Sequence, residues 1–600
     1  MSSRWFLWLF LPALAFHSPT FGQSTTTIVQ KTAPELRTAL SLDGHADILV
    51  IFSEKADLQA ASRISGKADK ARFVFLQLQT VAEKSQARAR QLLRARNAFF
   101  NSFYIVNALA VSQADAATVE ALAQLPEVAW MAPDPTVALQ LPAPDVSSVA
   151  VERGATEWGI ENINAPAVWA LGYRGQGITV GGADTGYEWE HPALKTNYRG
   201  YNSQDGSANH TYNWHDGIHE ISPLSGDSIP DPANNPCGVS SKTPCDDHNH
   251  GTHTMGTMVG DDGAGNQIGV APEASWVACR NMERGNGKPS SYIECFEWFL
   301  APTDLNGENP NVEKAPHVIN NSWYCSYQEG CTDLSVNELM RQAVINLRAS
   351  GVFVVVSVGN DGSQGCNSAN NPPAYFEESF SVGAISSNDT ITNFSSRGAV
   401  IIDGSNRLKP NVVAPGAGVR SSIRNGGYSH FWGTSMAGPH VAGMVALILS
   451  ARPDLAGEVE LLEDIIEQTA VPSFDTVNCG GVSGQTHPNN TYGFGRVDAL
   501  AAVLKAQTVS PVQNPASNPA NVTLAPNPVR DAANFILTNF SGPARLELFD
   551  ATGRLVIQQN RSETGASLRW QVAMRDFPAG TYFWKISGDT QVFSGKFIKL

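Results

Sequence analysis

The chain has 600 residues, of which 42% are hydrophobic and 16% are charged. At roughly 100–200 residues per domain this length predicts several domains, and the apolar fraction suffices for large buried cores. The formal net charge is −15, which argues against a nucleic-acid-binding protein, because the phosphate backbone attracts basic surfaces. No run of about 18 apolar residues follows the N-terminus, so we expect no membrane-spanning helix.

The N-terminus has the pattern of a secretory signal peptide. Arg4 precedes an apolar run from Trp5 to Phe16, and small and polar residues follow it. The run is too short to cross a bilayer. We place cleavage near Gly22, so residues 1–22 are the predicted signal peptide, and a membrane anchor is the alternative.

Eight cysteines occur, all in the middle of the chain. An even number of cysteines behind a signal peptide favours disulfide bonds over free thiols. Cys237 with Cys245, and Cys325 with Cys331, are near neighbours that would close short loops. The spacing leaves the other pairings open and does not resemble a four-cysteine zinc site.

Residues 46–138 form a separate block. Strands are predicted at 47–52 and 128–132, and residues 70–100, rich in alanine and basic residues, predict helix. The basic helix could bind anions or could be a solvated face. The proline-rich stretch 139–151 predicts an exposed linker.

Residues 152–505 alternate short apolar strands with helical segments. Strands are predicted at 177–183, 317–320 and 352–357, and a strongly apolar helix at 439–449. Strands that are apolar without a break and that alternate with helices are typical of a parallel sheet covered by helices on both faces. We therefore predict an α/β domain here.

The last part of the chain has a different pattern. Residues 506–520, rich in proline, asparagine and serine, predict a second linker. In residues 521–600 apolar and polar side chains alternate, and Gly553 and Gly580 mark turns. This pattern predicts a small antiparallel β-domain, a sandwich.

Three segments of the middle block carry side chains suited to nucleophilic catalysis. Asp184, in Asp-Thr-Gly, ends a predicted strand, where open α/β sheets place their ligand crevice. His250, in His-Gly-Thr-His, can exchange a proton near neutral pH. Ser435, in Gly-Thr-Ser-Met-Ala-Gly-Pro, lies where an apolar helix starts. A histidine oriented by an aspartate can activate a serine hydroxyl, which alone is a weak nucleophile.

Asn360 is the fourth chemical group. It follows the predicted strand at 352–357, and its amide can donate to the oxyanion of a tetrahedral intermediate. The backbone N–H of Ser435 would be the second donor. Pro439 is expected to lie in the first turn of its helix, where proline is tolerated.

Taken in this order, the motifs resemble those of the subtilisin-like serine peptidases, the subtilase family, over residues 152–505, and within it the bacillopeptidase F-like branch. The resemblance implies a catalytic triad of Asp184, His250 and Ser435, with Asn360 and Ser435 forming the oxyanion hole. It also implies that the segment Asn-Asn-Ser-Trp at 320–323 binds an extended peptide. The implied substrate-binding residues are Ser322, Trp323 and Gly359.

The resemblance implies no cofactor for the chemistry and leaves a structural calcium ion open. The family often carries a calcium loop after the histidine helix, here residues 261–267, whose oxygen-rich side chains suit calcium and equally an ordinary loop. His250 and His253 could instead form a metal pair, but His-Glu-x-x-His is absent. His253 and His440 are expected to be structural, and His215 and His219 to be polar surface residues.

The flanking blocks also resemble known domains. By position, 46–138 resembles the inhibitory propeptide of subtilases, a small α+β fold that blocks the cleft; a separate binding domain is the alternative. Maturation would then cut between about Val137 and Val151. Residues 521–600 resemble the C-terminal sorting domain of the type IX secretion system of Bacteroidetes, through Leu-Ala-Pro-Asn-Pro at 524–528 and the final Lys-Phe-Ile-Lys-Leu. A carbohydrate- or protein-binding module is the alternative.

These features predict a secreted serine endopeptidase made as a precursor and exported through the periplasm and the outer membrane. Its expected partners are protein or peptide substrates, its own propeptide as an intramolecular inhibitor, and the secretion machinery through the C-terminal domain. We expect a monomer that does not bind nucleic acid. Two alternatives stay open: a surface binding protein on a scaffold that has lost catalysis, and a highly selective processing protease.

Overall fold

The computed structural model describes residues 29–138, 141, 156–225, 235–325, 334–509, 521–525, 529–538, 542–563, 567–588 and 592–600. The chain divides into two compact units, Met1–Val509 and Ser510–Leu600. The predicted signal peptide and most of the two predicted linkers lie outside the described residues.

The first unit begins with a four-stranded antiparallel sheet in the order β2-β3-β1-β4. Its strands are β1 (His45–Phe52), β2 (Phe100–Phe103), β3 (Ala108–Asp115) and β4 (Val128–Pro133). The helices of this region are α1 (Pro34–Asp43), α2 (Lys67–Ser85), α3 (Ala87–Ala95) and α4 (Ala116–Ala123). The helix predicted over 70–100 is thus two helices. They separate at Gln86, whose side-chain amide is turned inward and donates to the Phe103 carbonyl (2.9 Å).

The remainder of the first unit is built on a seven-stranded sheet in which every strand pair is parallel, in the order β14-β13-β12-β11-β6-β8-β7. This confirms the predicted parallel α/β domain. Its strands are β6 (Thr179–Asp184), β7 (Trp214–Asp216), β8 (Ser275–Arg280), β11 (Val318–Asn321), β12 (Phe353–Ser357), β13 (Phe380–Ile385) and β14 (Val412–Pro415).

Shorter strands and the helices complete this unit. Three two-residue strands form a small sheet in the order β5-β10-β9, and two strands form a hairpin. These strands are β5 (Val137–Ala138), β9 (Met282–Glu283), β10 (Asn286–Gly287), β15 (Val419–Ile423) and β16 (Gly427–Phe431). The helices are α5 (Trp158–Asn162), α6 (Ala165–Ala170), α7 (His250–Val259), α8 (Pro289–Leu300), α9 (Leu334–Ala349), α10 (Thr434–Ala451), α11 (Val459–Thr469) and α12 (Ala499–Thr508).

The parallel sheet is buried on both faces, which explains its unbroken apolar strands. Along β12, Val354 and Val356 belong to one apolar core and Phe353 and Val355 to the other, because successive side chains of a strand point to opposite faces. The core of Val354 and Val356 also contains side chains of the N-terminal sheet, such as Ile48. The N-terminal block therefore packs on one face of the α/β domain.

Helix α10 is the central helix of the other core. It is the one described helix that is long and apolar enough to cross a membrane, and 89% of that stretch is buried inside the protein. It begins at Thr434, before the predicted start, so Pro439 lies in its second turn and not in its first. At the end of the unit, α12 continues to Thr508. Regular structure therefore extends a few residues into the segment predicted as a linker from 506.

Three disulfide bonds lie within the described residues. The predicted pair Cys237–Cys245 is found, together with Cys279–Cys295 and Cys366–Cys479, which the spacing had left open. Cys325 is also disulfide-bonded. Its predicted partner, Cys331, lies outside the described residues.

The second unit is all-β, as predicted. It has two antiparallel sheets, ordered β17-β18-β21 and β20-β19-β22-β23. Side chains of both, such as Phe535 and Leu546, share one apolar core. The strands are β17 (Asn521–Ala525), β18 (Ala532–Thr538), β19 (Gly542–Phe549), β20 (Leu555–Glu563), β21 (Ser567–Ala573), β22 (Gly580–Gly588) and β23 (Val592–Lys599).

Candidate active site

Asp184 and His250 form a buried hydrogen-bonded pair. Asp184 is the last residue of β6 and His250 the first of α7. The Nδ1–H of His250 donates to Oδ1 of Asp184 (2.7 Å), and the backbone N–H of Thr185 donates to the same oxygen (2.8 Å). This bond selects the tautomer with an unprotonated Nε2. That Nε2 atom is buried and has no hydrogen-bond partner among the described residues.

Glycines of the two motifs allow this close approach. A Cβ atom on Gly251 would lie 2.1 Å from the carbonyl oxygen of Gly186 and 3.1 Å from Cβ of Asp184. Gly186 has a φ of +109°, and a Cβ there would lie 1.8 Å from the carbonyl oxygen of Cys245. Helix α7 can therefore reach the end of β6 only because both positions lack a side chain.

Ser435 is the second residue of α10 and is almost fully buried. Helix α10 packs against α7, which carries His250. The Ser435 hydroxyl donates to the carbonyl oxygen of Ser322 (3.2 Å). The structure therefore brings the strand end at Ser322 to the predicted nucleophile.

The first turn of α10 is held by two serine side chains from the sheet. Proline has no N–H, so Pro439 leaves the carbonyl of Ser435, four residues earlier, without its helical partner. The Ser322 hydroxyl donates to that carbonyl (2.8 Å), and the Asn320 amide donates to the Ser322 oxygen (2.8 Å). Ser357, at the end of β12, donates in the same way to the Thr434 carbonyl (2.9 Å).

Asn360 is oriented by the residue before the predicted nucleophile. Its Oδ1 atom accepts from the backbone N–H of Thr434 (2.9 Å) and from the Thr434 hydroxyl (3.0 Å). With the oxygen engaged in this way, the Nδ2 group remains to donate elsewhere. Gly359 precedes it with a φ of +108°, a conformation that favours glycine.

The predicted substrate-binding residues have different surroundings. The Ser322 side chain is engaged in the scaffold, as described above. Trp323 is fully buried, with its ring stacked on Tyr292 (centroids 3.9 Å apart). The edge that holds an extended segment in this structure is β10, where Asn286 pairs with Ala138 and Gly287 with Val137. Sequence reasoning missed β10 because a two-residue strand has no periodic pattern.

His253 and His440 are buried and bonded to backbone carbonyls. The His253 Nε2–H donates to the carbonyls of Val419 (3.0 Å) and Ser429 (3.2 Å), and its ring stacks on Phe431. Burial lowers the pKa of His253 to about 3, so it stays neutral. The Nδ1–H of His440 donates within its own helix to the Met436 carbonyl (2.8 Å). Both expectations for these histidines agree with the contacts.

His215 and His219 were predicted to be polar surface residues, and the structure has His219 exposed and His215 partly buried. Both bond through Nε2 to the carboxylate of Glu294 in α8, at 2.7 and 2.9 Å. Glu294 is partly buried, and these two histidines together hold its pKa at about 2 against the effect of burial. The N-terminal block reaches the same carboxylate through Asn101 (3.3 Å).

In the loop considered for calcium, the aspartate side chains accept hydrogen bonds within the loop and from Tyr428. The Asp262 carboxylate accepts from the backbone N–H groups of Ala264 (2.8 Å) and Asn266 (3.0 Å) and from the Tyr428 hydroxyl (3.1 Å). Asp261 accepts from the N–H of Gly263. Within the described parts of the chain, no group of three or more His, Cys, Asp or Glu side chains could hold a metal ion.

Comparison with known proteins gives two family matches. Residues 175–495, more than half of the chain, match the subtilase family, and residues 523–600 match a secretion system C-terminal sorting domain. Bacillopeptidase F of Bacillus subtilis (strain 168) is 34% identical over 510 residues, which cover 80% of this chain. The chain spans about a third (33%) of the length of that relative.

Two shorter relatives are matched over most of their length. Subtilisin E of Bacillus subtilis (strain 168) is 28% identical over 426 residues, covering 70% of this chain and 91% of subtilisin E. Subtilisin DY of Bacillus licheniformis is 33% identical over 300 residues, covering 50% of this chain and 86% of subtilisin DY.

Proposed function

Because the chain belongs to the subtilase family of serine peptidases, we propose that it is a secreted endopeptidase that cleaves proteins through Asp184, His250 and Ser435. The observation that carries this proposal is the buried bond between His250 Nδ1 and Asp184 (2.7 Å). It leaves His250 Nε2 without a partner among the described residues, and in the neutral imidazole this atom is the one that can accept a proton. The helix that bears Ser435 packs against the helix that bears this base.

The proposed chemistry is acyl transfer through a serine. Ser435 Oγ attacks the carbonyl carbon of the peptide bond while its proton passes to His250 Nε2, and Asp184 stabilises the imidazolium. The amide of Asn360 and the backbone N–H of Ser435 donate to the oxyanion. When the intermediate collapses, the C–N bond breaks and His250 gives its proton to the leaving amine. Water then attacks the acyl-enzyme by the same route and releases the acid.

The N-terminal block acts in this proposal as an inhibitory propeptide. Its last described strand, β5, pairs antiparallel with β10, with Val137 opposite Gly287 and Ala138 opposite Asn286. Val137 is buried in this position. An extended segment added to a strand edge is a common mode of peptide binding, and here it supports occupation of the substrate-binding edge by the chain itself.

Side chains of α8 and α9 support the docking of this block. The Glu297 carboxylate accepts from the backbone N–H groups of Tyr104 (2.6 Å) and Ile105 (2.8 Å). The Asn346 amide donates to the Ile105 carbonyl (2.5 Å). Burial raises the pKa of Glu297 to about 8. These contacts join a turn of the N-terminal sheet to two helices that cover the α/β domain.

A second set of contacts lies near the paired strands. The N–H and hydroxyl of Ser290 donate to Asp134 (3.0 and 2.5 Å), and Lys288 forms an ion pair with Asp47 (2.6 Å). Asp134 lies just before β5, and Lys288 and Ser290 lie just after β10, so these contacts support the pairing of the two strands.

The C-terminal domain directs export. Its match to a secretion system sorting domain indicates export through the type IX system to the cell surface or the extracellular space. A protease exported in this way needs protection of its producer until it has left the cell, which is consistent with synthesis as an inhibited precursor.

The experiment that tests the proposed function uses the precursor lacking residues 1–22, refolded under oxidising conditions. Wild type, Ser435→Ala and Ser450→Ala are compared for self-processing on gels, casein digestion and labelling by a fluorophosphonate. Ser450 is the matched control, since it lies at the far end of the same helix. We expect wild type and Ser450→Ala to process themselves, digest casein and take up the label, and Ser435→Ala to do none of these.

Two other outcomes have defined meanings. Equal processing of wild type and Ser435→Ala would assign maturation to another protease. A wild type that neither digests casein nor takes up the label after removal of residues 46–138 would favour the alternative of a binding protein on a subtilase scaffold.

A further inference from the structure

Asp246 lies four residues before His250 and is almost completely buried (3% exposed). Its carboxylate accepts five hydrogen bonds. The donors are the Thr185 hydroxyl (2.9 Å), the backbone N–H groups of His248 (2.9 Å), Asn249 (3.1 Å) and Thr252 (3.0 Å), and the Thr252 hydroxyl (2.6 Å). None of these bonds belongs to the chemistry described above. They surround the point where the Asp184 turn meets the helix of His250.

Helix α7 needs acceptors for its first N–H groups, because these have no partner inside the helix. The residue just before the helix, Asn249, does not supply one, and its side-chain oxygen accepts from the N–H of Arg424 instead (3.1 Å). The N–H of Thr252 is taken by Asp246, and the N–H of Gly251 by the Thr185 hydroxyl oxygen (3.1 Å). The helix that begins with His250 is therefore capped by side chains from outside it.

Thr185 connects this cap to Asp184. Its backbone N–H donates to Oδ1 of Asp184 (2.8 Å), the same oxygen that accepts from His250. Its hydroxyl donates to Asp246 and accepts from Gly251. A short path of buried bonds thus runs from the Asp184 carboxylate through Thr185 and Asp246 to the first turn of α7.

The segment that carries Asp246 is anchored independently. Cys245, the residue before it, is tied to Cys237 by a disulfide bond. Asp247, the residue after it, forms a fully buried ion pair with Arg280, which also pairs with Asp216. Because these contacts hold the backbone on both sides, a substitution at position 246 changes the cap rather than the course of the chain.

We propose that Asp246 is a positioning residue that sets the distance and angle between Asp184 and His250. The inference rests on the proposed function, since it concerns the same pair of groups. Asp246 is not one of the groups that the proposed mechanism uses. It acts by fixing the start of α7 against the turn that follows Asp184, so that the imidazole meets the carboxylate and presents Nε2.

The substitution Asp246→Asn keeps the size of the side chain but cannot accept the same five hydrogen bonds. An amide has one acceptor oxygen and adds two N–H donors, whereas all five groups bonded to the Asp246 carboxylate, from four residues, are donors. Thr185 donates to one carboxylate oxygen and Thr252 to the other. With an amide in this place, at least one of these two residues therefore loses its acceptor. We expect the distance and angle between the His250 imidazole and the Asp184 carboxylate to change. Misplacement of a catalytic group by about 1 Å costs on the order of a hundredfold in rate.

The test compares wild type with Asp246→Asn, each calibrated by fluorophosphonate titration so that rates refer to correctly folded, reactive sites. We expect kcat on a peptide substrate to fall roughly 10- to 100-fold with KM changed by less than about threefold, and the acidic limb of the pH profile of kcat/KM to move. Asp304→Asn is the matched control. Asp304 also accepts from loop N–H groups, of Asn306 and Glu308, but lies in a different loop, and this variant should keep wild-type kcat.

A second measurement does not depend on hydrolysis. In precursor carrying Ser435→Ala and 15N-labelled histidine, the Nδ1–H proton of His250 bonded to Asp184 should give a far-downfield NMR resonance, and adding Asp246→Asn should shift or broaden it. If Asp246→Asn does not fold, Thr185→Val carries the test, since it removes the hydroxyl that joins Asp246 to Gly251. A titrated variant with wild-type kcat, pH profile and resonance would overturn the inference. If wild type neither hydrolyses the peptide nor reacts with the fluorophosphonate, while Asp246→Asn still shifts the His250 resonance, the proposed function would be overturned instead.

Discussion

The side-chain hydroxyl of Ser322 donates a hydrogen bond to the main-chain carbonyl of Ser435, 2.8 Å away. The carbonyl is available because Pro439 cannot supply the helical N–H. The residue that carries the proposed nucleophile is thereby tied to the end of strand β11 by its own backbone. In turn, the Ser435 hydroxyl donates to the Ser322 carbonyl (3.2 Å), so the two serines contact each other twice.

We expect Ser322→Ala to lower kcat about tenfold and to destabilise the protein. The substitution leaves two buried groups, the Ser435 carbonyl and the Asn320 amide, without this partner, and each such group costs about 1–3 kcal/mol. Steady-state kinetics and thermal unfolding measure both effects. Ser450→Ala removes a similar bond, to the Leu447 carbonyl (2.8 Å), at the other end of the helix and should leave kcat unchanged. Wild-type kcat in Ser322→Ala would contradict the role given to this bond.

Asn360→Ala should lower kcat by about 10²–10³ with little change in KM, because an oxyanion donor acts on the transition state rather than on the bound substrate. The orientation of its amide by Thr434 supports this role. Kinetics on a peptide substrate, with active sites counted by titration, give the two constants separately. An equal loss in binding and turnover, or no loss, would be inconsistent with an oxyanion donor.

Asp134 should make the stability of the precursor depend on pH. Burial raises its pKa to about 6 against the opposing effect of Lys288. Since the folded state holds the proton more tightly than the unfolded chain, the contribution of Asp134 is fully present below about pH 4 and is lost as the pH rises through 6. In precursor carrying Ser435→Ala, the free energy of unfolding should therefore fall by about 3 kcal/mol between pH 4 and pH 7 because of Asp134.

The variant Asp134→Asn isolates this effect, because an amide stays neutral at every pH. Denaturant unfolding at pH 4 and pH 7 should give Asp134→Asn a smaller pH dependence than its parent. Asp69→Asn, at an exposed carboxylate of the N-terminal block, should follow the parent. Parallel curves for the parent and Asp134→Asn would show that Asp134 is not buried in its protonated form.

A chain that ends at Val509 should fold and remain in the periplasm. The first compact unit ends at that residue and has its own apolar cores, whereas the sorting domain lies beyond it. Cell fractionation with antibody detection locates the product. Full-length Ser435→Ala is the control, because export does not require activity. Normal secretion of the truncated chain would contradict the sorting role of residues 521–600.

The parallel sheet could be predicted because its strands are buried on both faces. Strand β12 is an unbroken apolar run, and the pattern alone located it to within a residue. The helix around Pro439 was placed less well. The proline suggested a start at its own position, whereas the supporting serines from β11 and β12 allow α10 to begin at Thr434. That support comes from residues far away in the chain.

Contacts between the N-terminal block and the α/β domain could not be predicted either. The pairing of β5 with β10 joins two-residue strands that are far apart in sequence. His215 and His219 lie at or near the surface as expected, but their shared bond to Glu294 had no signal in the sequence. Neither feature has a local signal, since each depends on which surfaces meet after folding.

The parallel sheet could be predicted from the amino-acid sequence, and so could Asp184, His250, Ser435 and Asn360 as candidate catalytic groups. These are carried by local motifs, in which glycines, an apolar strand or a helix start lie next to the chemical group. The contacts that hold those groups in place appear only in the folded protein. The Ser435 carbonyl and the first N–H groups of α7 find their partners in Ser322 and Asp246, because a polar group left unpaired at a helix end must be satisfied by whatever side chain the fold brings to it.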